Sequence, residues 1–203
     1  VARPKAFDET QALDAAMTCF WDRGYEATSI RDLTDRMGIA GPSLYNTFGD
    51  KRALFERSLE HYCTRLTYER IARIEAETPP VLRIGRFLGD IVDRSVDDET
   101  RRGCFLINSA IEVAPHDPAM GAVIAGHLTE VRNFFARSLA AARAADRLST
   151  AITNAEVERA ADHLMAVLLG IRVLARTRPE RDLLEGIVAA ALTAVGLPAA
   201  ARH

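Results

Sequence analysis

Apolar side chains recur three and four residues apart along nearly the whole chain, the spacing of one buried helical face. In the first run Leu13, Met17, Phe20 and Trp21 share a face. Asp8 stands at its N-cap with Gln11 in capping-box spacing, and Gly24 closes it. A second run opens on Ser29 and Asp32, again in capping-box spacing, turns Ile30, Leu33 and Met37 inward and stops at Gly38. After a very short link Pro42 takes a first helical position, where its missing N–H costs nothing. Leu44 and Phe48 give this short helix one apolar edge, and Gly49 ends it. Asp50 then caps a longer helix whose stripe is Phe55, Leu59, Tyr62 and Leu66, running to about Ile74.

The rest of the chain keeps the helical period. Pro79-Pro80 restarts it, with Leu82, Phe87, Leu88, Ile91 and Val92 inward. "CFLINSAIEVA" is a short, mostly apolar helix ending before Pro115, a composition that implies burial on most sides. A long helix begins at Asp117-Pro118, and two more close the chain. The expected fold is therefore all-α, in two units: a helix-turn-helix domain over 1–55 and a larger helical domain over 56–203.

Two short helices joined by a tight glycine-containing turn are the signature of a helix-turn-helix, whose second helix projects a face that can enter a major groove. An ordinary three-helix subdomain gives the same pattern. With Leu44 and Phe48 inward, the outward set is Gly41, Pro42, Ser43, Tyr45, Asn46 and Thr47. This helix has no Arg or Lys, so it has no arginine fork for guanine. Asn46 suits adenine, and Thr47 a thymine methyl.

Composition narrows the function. The net charge is -2, so any nucleic-acid surface is local, and Lys5 and Lys51 are the only lysines. The cysteines Cys19, Cys63 and Cys104 show neither CxxC nor paired-His spacing, which fits a reducing cytoplasm. No apolar run is long enough for a bilayer, and the start lacks a signal-peptide core. The expected location is the cytoplasm, with no membrane partner. No GxGxxG, P-loop, GxSxG or HExxH is present, and His116, His127 and His163 stand singly. The expectation is no enzyme, no catalytic residues, no metal and no cofactor. An all-helical enzyme and a protein-binding adaptor are the alternatives.

The stretch "GYEATSIRDLTDRMGIAGPSLYNTFGDKRALF" closely resembles the N-terminal DNA-binding domain of the TetR family of bacterial repressors. The resemblance rests on Gly24-Tyr25, Thr28-Ser29, Gly38-Ile39, Ser43-Leu44-Tyr45, Phe48 and the Lys51…Leu54-Phe55 entry to the fourth helix. It implies that Tyr45 and Lys51 contact phosphates and that Thr28, Ser29 and Arg31 touch the DNA backbone. It also implies a homodimer on a palindromic double-stranded operator. Small residues on the last two helices, Ala166, Gly170, Ala190 and Ala194, suit a two-fold four-helix interface, or equally interior packing.

The resemblance further implies a small-molecule effector between the middle helices, with repression relieved by ligand and the long fourth helix as a lever. Candidate lining residues are Phe87, Ile91, Cys104, Phe105, Asn108, Ile111, Phe134, Leu164 and Leu168. Asn108 in an apolar helix needs partners that a ligand could supply, and Ser109 is a second polar anchor. The sequence places no charges there, so a mostly apolar ligand is expected. Cys104 carries an alternative. It follows Arg101-Arg102-Gly103 at a helix start, a setting that favours thiolate. "GCFLINSAIEVAPHDP" also resembles a segment of a TetR subgroup, some of whose members respond to oxidants or electrophiles.

Overall fold

The computed structural model describes residues 7–145 and 153–198, and every regular element among them is helical. Lys5, one of the two lysines, lies outside the described residues. The first four helices are α1 (Glu9–Arg23), α2 (Ile30–Met37), α3 (Gly41–Phe48) and α4 (Lys51–Tyr62). Their ends follow the local chemistry. Asp8 accepts from the amides of Thr10 and Gln11, Ser29 and Asp32 close a reciprocal capping box, and Asp50 accepts from the Ala53 amide.

The buried stripe of α1 is Ala12, Ala16, Cys19 and Phe20, while Leu13, Met17 and Trp21 are only half-buried. The stripe has rotated because small residues let α4 approach closely. Phe20 then meets Phe55 edge-on, with ring centroids 5.1 Å apart.

The fourth helix is continuous but not uniform. A π-helical stretch, Cys63–Tyr68, joins α4 to α5 (Glu69–Glu77). The wider turn changes which residues face inward beyond Tyr62. Four helices then enclose a second core: α6 (Pro80–Val96), α8 (Pro118–Ala144), α9 (Asn154–Thr177) and α10 (Arg181–Ala194). Its centre is aromatic, with Phe87 5.1 Å from Phe134 and 5.7 Å from Phe135. Leu82 is exposed rather than inward. It sits half a turn away from the Ile91 side of α6 at about 100° per residue.

The short helix α7 (Phe105–Glu112) belongs to the other core. Phe105 packs edge-on against Phe55 and Tyr62 at 5.5 and 5.7 Å. Val113 and the start of α8, at Met120 and Ile124, complete the same cluster. A division at 55/56 falls inside α4, and the N-terminal core extends into α7 and α8 by packing that no local pattern records.

Gly24 is fixed twice. Its φ is +84°, and a Cβ there would stand 2.7 Å from a carboxylate oxygen of Glu112. Gly24→Ala is expected to cost about 1–3 kcal/mol, read as a lower midpoint in urea unfolding.

A second strut joins the units. Arg52 Nε donates to Asp117 at 2.6 Å, while Asp117 also caps α8 by accepting from the Met120 amide. Hydrogen bonding from Arg52, then from that amide, holds the Asp117 carboxyl at about 2 rather than 3.8. A depressed carboxyl stabilises the fold fully above its unfolded value and loses that contribution as pH falls through its folded value. The melting temperatures of the native protein and Asp117→Asn are thus expected to differ most above pH 4. The gap should close toward pH 2, as measured by thermal unfolding across that range.

Candidate nucleic-acid interface

The outer face of α3 is built on two buried anchors, Leu44 and Phe48. Opposite them Pro42, Tyr45 and Asn46 are exposed, Tyr45 with 53% of its surface open, while Gly41, Ser43 and Thr47 are half-buried. No side chain caps the start of α3, where Pro42 lies in the first turn. Pro42 has no N–H and the Ser43 and Leu44 amides both donate to the Ala40 carbonyl, at 2.9 and 3.1 Å, so this turn is closed by its own backbone. Arg57 donates to the Thr47 carbonyl at 3.0 Å and lies over the Phe48 ring, which fixes the far end of the helix.

The flanking residues divide in two. Arg31 stands clear of the fold, 3.7 Å from Asp35 and with a 91% exposed side chain. Ser29 is exposed at the N-cap of α2. The Lys51 ammonium sits 4.4 Å from the Tyr25 ring centroid and 3.4 Å from the Glu26 carbonyl, held beside α3 at the start of α4. Thr28 is different. It is 1% exposed and its hydroxyl donates to the Gly24 carbonyl at 2.6 Å, so its side chain supports the turn instead of facing DNA.

Three contacts that sequence reasoning missed tie this surface to the second unit. Glu112 accepts from the Glu26 amide at 2.9 Å, and Arg52 pairs with Asp117. The Arg102 guanidinium lies over the Trp21 ring at 4.4 Å and reaches within 3.7 Å of Asp22.

Most residues expected around an effector are packed against protein. Phe87, Ile91, Phe134, Leu164 and Leu168 fill the second core, and Phe105 fills the first. Ile111 is 67% exposed on the outer side of α7, so it lines nothing. Asn108 is satisfied internally: it donates to the Arg102 carbonyl at 2.8 Å and accepts from Arg176 at 3.2 Å. Ser109 donates to the Phe105 carbonyl in its own helix. Cys104 is 8% exposed and its sulfur accepts from the Tyr62 hydroxyl at 3.4 Å.

A cavity of about 370 Å³ lies instead beside the π-helical stretch. Trp21, Tyr62 and Leu66 form its apolar side, and arginines from α5, α6, α9 and the 97–104 loop surround the rest. Ala166, Gly170, Ala190 and Ala194 are all exposed, with Val173 in line on α9. A Cβ added at Gly170 or Gly186 would meet nothing within 4 Å. The outer face of α9 and α10 is therefore smooth and unfilled by its own chain.

Comparison with known proteins fits this architecture. The model of bacterial regulatory proteins of the tetR family matches residues 12–57, and that of a tetracyclin repressor-like C-terminal domain matches residues 80–191. The HTH-type transcriptional regulator YezE of Bacillus subtilis is 30% identical over 95% of this chain and 98% of its own length. The transcriptional repressor ComR of Escherichia coli is 37% identical over 56% of this chain and 54% of its own. A cysteine mutant of the TetR family regulator CifR, solved with 26 bp operator DNA, superposes with a TM-score of 0.83. It is 32% identical over 95% of this chain and 99% of that one.

Proposed function

Because the chain belongs to the tetR family of bacterial regulatory proteins, we propose that it is a cytoplasmic, non-enzymatic repressor that binds a palindromic operator as a homodimer. The observation that carries this reading is the α3 face: exposed Pro42, Tyr45 and Asn46 mounted on buried Leu44 and Phe48. Tyr45 and Lys51 would meet phosphates, Asn46 and Thr47 base edges, and Ser29 and Arg31 the flanking backbone. Phosphate contacts set position and base contacts set sequence. The exposed face of α9 and α10 would meet its two-fold mate, and the 1–55 unit would be presented to successive major grooves roughly 34–36 Å apart. CifR, bound to operator DNA, supports the geometry by similarity. No helix among the described residues is long and apolar enough to cross a membrane.

The effector would enter the cavity beside Trp21 and Arg102, which touch both units. It would shift the dimer between two groove spacings by its differential affinity for them. Selection of genomic fragments on immobilised protein, followed by a mobility shift with the enriched duplex, tests the reading. A sharp, salt-sensitive shift on a palindrome supports it, and equal retention of all fragments opposes it.

The Cys104 reading has one structural support. Its thiol bonds to Tyr62, which lines the cavity, so modification would disturb that wall. Burial works against access. Iodoacetamide is expected to modify Cys104 at least about tenfold more slowly than a small free thiol. Intact mass with time reads this, and fast alkylation with operator release would instead favour sensing through Cys104.

A further inference from the structure

Three buried N–H groups among the described residues lack an acceptor around this one cavity: the indole of Trp21 and the Nε groups of Arg70 and Arg102. Arg70 is the most demanding of them. It is 6% exposed, and its buried Nε has no hydrogen-bond partner among the described residues. A buried N–H of a guanidinium left without an acceptor is costly, and such groups call for an explanation.

The wall around it is lopsided in charge. Six arginines face two aspartates, Asp97 and Asp98. Asp98 is already engaged, accepting from the amides of Thr100 and Arg102. Asp97 lies 3.9 Å from Arg181, outside the cavity. On the cationic side Arg172 donates only to the Ser95 hydroxyl, a neutral partner at 3.3 Å. Burial, then the charges of Arg94 and Arg172, pull the Arg70 guanidinium down to about 10, so it remains charged at neutral pH. Arg70 thus feels the charges of both Arg94 and Arg172, offset in part by Asp90.

We propose that the cavity takes a small organic anion, a carboxylate or phosphate monoester on an apolar body. Arg70, Arg94 and Arg172 hold its head, and its body lies against Trp21 and Leu66. The anion supplies acceptors to the orphan donors and neutralises the cluster, and guanidinium pairs with carboxylate or phosphate are among the stronger hydrogen bonds. A volume near 370 Å³ suits a single-ring molecule. The proposal deepens the effector reading of this cavity, and rests on it. It replaces the expected apolar ligand with a charged one, which sequence could not foresee because the arginines come from separate helices.

The test is thermal unfolding with phenylacetate, phenyl phosphate and the neutral phenylacetamide at matched ionic strength. A saturable rise with either anion and none with the amide is expected, and the tighter anion identifies the head group. Arg70→Met should abolish the rise while retaining the fold by circular dichroism, because it removes a buried N–H that has no acceptor. Arg94→Gln, at an exposed position, should keep the fold and weaken anion binding about tenfold. A rise of equal size with the amide, or one that survives both substitutions, overturns the proposal. Operator binding without probe is measured in parallel. Duplex binding without anion uptake sinks this assignment and leaves the repressor reading standing; anion uptake without duplex binding does the reverse.

Discussion

Gly170→Leu is expected to convert the protein largely to monomer and to lower its operator affinity at the same time. Within one protomer Gly170 is exposed and a Cβ added there meets nothing within 4 Å. Leucine is also a better helix former than glycine, by somewhat less than the ~0.8–1 kcal/mol that separates glycine from alanine, so α9 should not suffer. Only a second chain, seated on the smooth face of Ala166, Gly170, Ala190 and Ala194, would feel the added side chain. Overpacking a close interface costs roughly 1–3 kcal/mol, or about 5- to 150-fold in association. Sedimentation velocity reads the dimer, and circular dichroism confirms retained helix. A fully dimeric variant places the subunit contact elsewhere.

The second large effect concerns the α3 face. Tyr45→Ala and Lys51→Ala are expected to weaken binding to every duplex alike, and Lys51→Ala should also flatten the salt dependence by about one ion. Asn46→Ala should instead relax preference at one position of each half-site by about 1–3 kcal/mol if its contact is bidentate. Thr28→Val serves as the contrast. It keeps shape but removes the hydroxyl that bonds to Gly24, so stability should fall while the salt slope stays. Fluorescence anisotropy at several salt concentrations separates these outcomes, and unchanged affinity in the Tyr45, Asn46 and Lys51 variants removes the face from consideration.

What sequence disclosed and what it hid follow from the range of the forces involved. The caps at Asp8, Ser29 and Asp50, and the Leu44–Phe48 edge, act within a few residues, so the frame of the DNA-reading unit is written locally. The resemblance places Thr28 at the DNA backbone, whereas its buried hydroxyl bonds to the Gly24 carbonyl in the turn before α2. Ile111 and Leu82 looked inward because they are apolar, although helix phase turns them out. Asn108 found its partners in Arg102 and Arg176, neither predictable from spacing. One signal was available for the cavity. Arg70 continues the stripe of Tyr62 and Leu66 at four-residue spacing, a charge where the pattern calls for an apolar side chain. Its meaning needed Arg94 and Arg172 from other helices.

The central claim is a two-fold protein reading a two-fold operator through α3. Its most direct test is hydroxyl-radical footprinting on an enriched duplex, with native protein and with Tyr45→Ala. The account predicts two protected patches of equal strength, centred about one helical turn or a small multiple apart and lost together in the variant. A single asymmetric patch, or protection unchanged by Tyr45→Ala, would contradict it.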